Sequence, residues 1–317
     1  MDLTTDALLE IAFDAVSATD RPRRSPPPAD GVLAAAGAAD RPRRHRDWDR
    51  RADGGLTSLT AFITTAAELG QLVDSLSASD WSEETVLDGS PTVRDLLVHM
   101  VGVERYLLGC LGRRPTLDAP RREDHWPVSL AAAGELADAV PDALAVVWWS
   151  EVLALVTAAA ELGPHHPVAY HHLAGSLDGL LVVRTFELWT HADDIRRATG
   201  RPLDPLDEPR LSLMVDELVS VLPLGLALCG TPLPGCRARL ILTGPGGGDF
   251  DVWLDPTAAR PDGTDAGRPD VTITTAAIDL CRLAANRLVP SDLAVDVDGD
   301  RALLGPILAG AAAFAAD

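Results

Sequence analysis

RTFELWTHADDIRRATGRP, residues 184–202, is the stretch on which the reading of this chain turns. Glu187 and His191 stand four positions apart within it. A helix repeats every 3.6 residues, so that spacing stacks both side chains on one face. A second stretch, TVRDLLVHMVGVERYLLG (92–109), has the apolar periodicity of a helix and carries His99. Brought together, His99, Glu187 and His191 supply two imidazoles and a carboxylate. Such a set holds zinc through three protein ligands and leaves a fourth position for water or substrate. The same residues also have an ordinary reading: a histidine in LLVHMVGV is commonly a packed core residue, and Glu-x-x-x-His pairs arise by chance.

Outward from these stretches the chain reads as helical from Leu56 to about Gly200. LTSLTAFITTAAELGQLVDSL (56–76) places apolar groups at three- and four-residue intervals, and further helices are expected at 92–112, 143–162 and 175–199. Four such helices can enclose a core into which metal ligands project. The connection 113–142, with its prolines and charges, reads as a surface crossover whose His125, Trp126 and Pro127 approach the pocket. Beyond Pro205 the texture changes. A helix at 208–222 precedes two alternating runs, RARLILT (237–243) and DFDVWL (249–254), which read as antiparallel strands around GPGGG (244–248). Those glycines lack a following Gly-Lys-Ser/Thr, so they form a hairpin turn and not a phosphate loop. A strand at 270–274, a helix at 276–287, a strand at 293–297 and a terminal helix from 301 complete the expectation.

The N-terminal 54 residues differ from the rest. After a short amphipathic helix at 3–17, Pro, Arg, Asp and Ala dominate, and TDRPRR (19–24) is nearly repeated as ADRPRR (39–44). With few large apolar groups to bury, the segment reads as a mobile arm.

At 317 residues the chain exceeds the usual single-domain size. Its net charge of −20 excludes a nucleic-acid binder, which needs clustered cations to displace counterions. All 27 basic residues are arginine. The opening MDLTTDALLEIAFDAV has no basic n-region, and no uninterrupted apolar run is long enough to span a bilayer, so a cytoplasmic protein without membrane partners is expected. Cys110, Cys229, Cys236 and Cys281 show no C-x-x-C spacing and read as reduced thiols, buried as small hydrophobes rather than ligating zinc.

The two signature stretches together resemble the mycothiol-dependent maleylpyruvate isomerase family. TVRDLLVHMVGVERYLLG is similar to the helix bearing that family's first histidine. RTFELWTHADDIRRATGRP is similar to its Arg-x-x-Glu-x-x-x-His-x-x-Asp signature followed by Ile-Arg-Arg-Ala. DWSEETV (80–86) stands where the family shows a tryptophan-bearing loop. One departure is Gly89-Ser90-Pro91 before Thr92, where relatives carry Gly-Trp; Pro91 suits a helix start.

The resemblance spans roughly 55–317 and implies α plus α+β architecture. A DinB/YfiT-like four-helix bundle would cover 55–205, and a small sterol-carrier-like α/β module with a mainly antiparallel sheet 206–317. It implies metal ligands at His99, Glu187 and His191, a divalent ion with zinc foremost, and mycothiol as thiol cosubstrate. Arg287 stands where relatives show a Gly-Arg pair implicated in catalysis, with Asn286 replacing the glycine.

The function so implied is attack of a metal-bound thiolate on a small electrophile, carboxylated if Arg287 serves it, giving cis-trans isomerisation or S-transfer. Asp194 either fixes the His191 tautomer or pairs with Arg197; Arg184 either binds a substrate carboxylate or salt-bridges within the bundle. His165, His166, His171, His172 and His125 read as solvated or structural, with a ligand or general base as the alternative. Two other functions compete: a thiol-independent metal hydrolase, and a non-catalytic protein holding an apolar ligand in its C-terminal module.

Overall fold

The computed structural model describes residues 43–44, 56–87, 89–114, 125–170, 173–255 and 267–313. The expected helix at 3–17, most of the arm, and His171 and His172 lie outside the described residues. From the arm, Arg43–Arg44 form a two-residue strand, β1. The chain divides after Asp204 into two compact units, a helical one from Thr57 and a second that takes Pro205 onward together with the segment around β1.

The helical unit holds α1 (Ser58–Asp74), α2 (Val93–Cys110), α3 (Trp126–Glu135), α4 (Pro141–Leu162) and α5 (Leu177–Ala198). Three of the four long helices begin at a hydroxyl cap: Thr57 accepts from Thr60 N, Thr92 from Asp95 N and Ser176 from Gly179 N. Each cap satisfies an amide that the first turn would otherwise leave bare. Thr92 takes the capping position, so Pro91 precedes the helix and does not occupy its first turn. α1 packs against α5 and α4, and α2 against α3 and α4. The core between them buries Phe62, Leu69, Leu96, Met100, Trp148 and Leu155 completely.

Two parts of this unit depart from the sequence reading. Trp126–Glu135, expected within a surface crossover, is a helix packed on α2, with Val128, Ser129 and Ala132 buried. Between α4 and α5 a hairpin forms from β2 (Pro167–Tyr170) and β3 (Leu173–Ser176), pairing Val168 with Gly175.

The second unit opens with α6 (Glu208–Leu228), which runs a turn and a half beyond expectation because Pro223 is accommodated inside it. β4 (Arg237–Thr243) and β5 (Gly248–Trp253) form the expected hairpin, with Gly244 and Gly246 at positive φ in the turn. β6 (Val271–Ala276), α7 (Ala277–Ala284), β7 (Val295–Gly299) and α8 (Leu304–Ala312) follow. The sheet order is β1-β5-β4-β6-β7, and only β4 and β6 run parallel, so the sheet is mainly antiparallel. α6 and α8 pack together, and an apolar gap lined by Leu218, Leu222, Leu240, Ile273 and Ile307 has about 10 Å³ open to water centres. That is room for about one water and far too little for a lipid.

α4 and α6 are long and apolar enough to cross a membrane by length and composition alone. Each is also a core helix of its unit, α4 through Leu144, Trp148 and Leu155 and α6 through Val215, Val219 and Leu226.

All four cysteines are free. Burial pushes the Cys281 thiol on α7 up to about 12, whereas Cys229 is exposed. The thiolate is the reactive form. Brief alkylation of the folded protein near pH 8 is therefore expected to label Cys229 and spare Cys281, read by peptide mass spectrometry. Equal labelling of the two before unfolding would contradict this packing of α7.

Candidate functional site

α2 and α5 place His99 and His191 side by side. Both imidazoles are almost wholly buried, with ring centroids 5.5 Å apart and planes nearly perpendicular. Two imidazoles on one tetrahedral ion, at about 2.0–2.1 Å from it, put their ring centres roughly 5 Å apart. His99 Nδ1 and His191 Nε2 are buried with no hydrogen-bond partner. Unpartnered buried nitrogens cost stability unless something occupies them. The two histidines thus fit a divalent ion by donor type, spacing and vacancy of their bonds.

His191 is held by a carboxylate. Its Nδ1 lies 3.4 Å from Asp194 Oδ2 on the next turn of α5. With the proton on Nδ1, His191 donates to Asp194 and leaves the Nε2 lone pair for a ligand. Asp194 Oδ1 also lies 3.6 Å from Arg197 Nη1, so the two roles read from the sequence coexist in one carboxylate.

Glu187 shares α5 with His191, but its carboxylate is turned onto Arg184, which donates from Nη1 to Glu187 Oε2. Among the described residues, no three His, Cys, Asp or Glu side chains already converge as a metal cage. Among the described residues only Oε2 of Glu187 is engaged, and the side chain is 30% exposed. One oxygen is therefore available while the other stays on the guanidinium.

Arg184 is only 1% exposed and its other arm donates from Nη2 to Glu104 Oε1 at 2.8 Å. Glu104 on α2 is fully buried, and that burial raises its pKa against the opposing pull of Arg184. Arg184 is engaged by carboxylates on two helices, Glu104 and Glu187. Glu104 escaped the sequence reading. The available signal was a glutamate on an apolar stretch, VGVERYLL, five residues after His99.

The His99 pKa is pushed well below that of an ordinary histidine, first by burial and then by the neighbouring His191, His125 and Arg184. Burial disfavours the charged form, which keeps the imidazole neutral and able to act as a ligand.

His125, read as a solvated or structural loop residue, is only 3% exposed. It stands edge-on to His99 with centroids 5.1 Å apart and stacks on Trp126 at 5.1 Å. His165 is exposed and His166 half-buried, away from hydrogen-bonding distance of any of these groups. Arg287 lies in the second unit, where its Nη1 donates to the Ala285 carbonyl at 2.9 Å. Beside it, Asn286 has a φ of 55°, the one left-handed non-glycine among the described residues. Asparagine tolerates that region better than other non-glycine side chains.

Residues 62–196 match the family model described as the mycothiol maleylpyruvate isomerase N-terminal domain. Over that stretch the helical unit is similar to this domain family. His99, His125, Glu187, His191 and Asp194 all fall within the matched residues, and Arg287 falls outside them. Two crystal structures named as mycothiol-dependent maleylpyruvate isomerase, one of them a histidine-to-alanine mutant, are similar at 18% identity. Each covers 75% of this chain and 91% of its own, with a TM-score of 0.49. No curated protein matches the chain.

Proposed function

We propose that this chain is a metal-dependent, mycothiol-using isomerase whose site is built from His99, Glu187 and His191 in a DinB-like bundle. The observation that carries the reading is the pair of buried, facing imidazoles with unpartnered nitrogens, 5.5 Å apart between centroids. It gains support from the domain family, which is named for an isomerase acting with mycothiol. Zinc suits two imidazoles and a carboxylate, and when bound there a divalent ion would keep the mycothiol sulfur deprotonated at neutral pH.

The chain's own residues do the rest. Burial holds His99 neutral, Asp194 holds the proton on His191 Nδ1, and Arg184 holds one oxygen of Glu187 so that the other faces away from it. In the isomerisation, thiolate sulfur adds to an activated cis double bond, the resulting single bond turns, and elimination of the same thiolate leaves the trans product. No net redox change occurs and the thiol is regenerated. The four free cysteines suit the reducing cytoplasm in which a small thiol serves as cosubstrate. The small apolar gap of the second unit gives no support to the alternative of an apolar-ligand carrier.

The test is metal content with thiol dependence. Gently purified protein is expected to carry about one divalent ion per chain, and to isomerise an activated cis-alkenoic acid only when mycothiol is added. Turnover that proceeds equally well with water alone would replace the isomerase with a hydrolase. Protein that neither contains nor takes up a divalent ion would remove the site.

A further inference from the structure

The two histidines are held in different ways. His191 has the hydrogen-bonded carboxylate that commonly orients a metal-ligating imidazole, whereas His99 is packed against aromatic rings. Ring contacts can fix the direction of an imidazole as a hydrogen bond does. Two rings supply that packing. His125 meets His99 edge-on at 5.1 Å between centroids, and Trp126 lies tilted against it at 5.5 Å. His125 and Trp126 also stack on each other, 29° from parallel, and Tyr106 stands 6.4 Å from His125 on its other side.

The backbone is shaped to seat this pair. The His125 carbonyl accepts from Val128 N and Ser129 N, which fixes the start of α3. α3 then lies so close to α2 that a Cβ on Gly102 would stand 2.5 Å from Ser129 Cα. A Cβ on Gly89, a residue with φ of 79°, would meet the Trp126 indole at 3.0 Å. Hydrogen at these two positions lets the start of α3 bring His125 and Trp126 down onto His99.

We infer that His125 and Trp126 are positioning residues for His99, an aromatic clamp that sets the ring of this ligand where His191 uses Asp194. The inference rests on the metal-site reading and extends it to residues outside the ligand set. The imidazole of His125 acts through its shape: edge-to-face contact between rings has a preferred geometry and is worth about 0.5–1.5 kcal/mol beyond area alone.

Zinc affinity of the full chain, measured against a chromophoric chelator, tests the clamp through three variants. Far-UV circular dichroism and melting of the metal-free forms establish that each is folded. Trp126→Leu and His125→Ala are each expected to weaken zinc roughly 10–100-fold, the usual cost of losing a group that orients a ligand. His125→Phe keeps a ring without nitrogens and is expected to bind within about threefold of wild type, and with cobalt in place of zinc to keep the wild-type visible absorption. Wild-type affinity in folded His125→Ala would overturn the clamp. So would a His125→Phe protein as weak as His125→Ala, since the nitrogens and not the ring would then be in use. Wild-type protein that binds no zinc would instead overturn the ligand set itself, a result distinct from either.

Discussion

His99→Ala is expected to leave a folded protein that binds zinc more than about 100-fold more weakly and has lost its mycothiol-dependent turnover. The magnitude follows by comparison. Groups that merely orient a ligand cost about 10–100-fold when removed, and a ligand itself must cost more. His99 is also the meeting point of the site, with His191 on one side and His125 and Trp126 on the other. On the proposed ligand set, removing its ring opens the coordination and unseats three neighbours. Folding should survive, because His99 makes no hydrogen bond through Nδ1 that the core depends on, and alanine is at home in the middle of α2. Equilibrium dialysis followed by elemental analysis decides the matter. Full metal occupancy and unaltered turnover in this variant would remove His99 from the ligand set.

The second large effect concerns stability. Glu104→Leu is expected to cost about 3–5 kcal/mol, the usual penalty for leaving one partner of a buried ion pair behind. Arg184 would keep only Glu187, whose carboxylate is part-exposed and bonds a different arm of the guanidinium. The double variant Glu104→Leu/Arg184→Met should recover most of the loss, since an apolar pair of similar volume tolerates this site better than a lone charge. Urea unfolding of the metal-free proteins measures both. A single variant within about 1 kcal/mol of wild type, or a double variant no better than the single, would show that Glu104 and Arg184 do not depend on each other.

How much of this was legible in the sequence depends on whether the deciding contacts are local. The four long helices were visible in apolar periodicity, because amphipathicity acts within a turn or two. α3 was hidden by the prolines and charges that precede it, and by an alanine-rich sequence whose burial comes from contact with α2 and not from a strong apolar face. β2 and β3 are four residues each, too short for alternation to register. At the site, the Glu187 and His191 spacing was plain, as was His99. The Glu104 to Arg184 bond was not, since its partners lie 80 residues apart and a glutamate in a helix ordinarily faces water. The same limit applies to His125, whose contact with His99 exists only once α3 docks on α2.

β1 pairs with β5 through Arg43 opposite Asp251 and Arg44 opposite Phe250. The N-terminal strand therefore finds its neighbour only in a hairpin that the ribosome makes after every residue of α1 to α6. Helical units rich in local contacts form quickly, and strand pairings between distant segments form late. The helical unit can thus be complete while Arg43 and Arg44 are still waiting for the sheet they will edge.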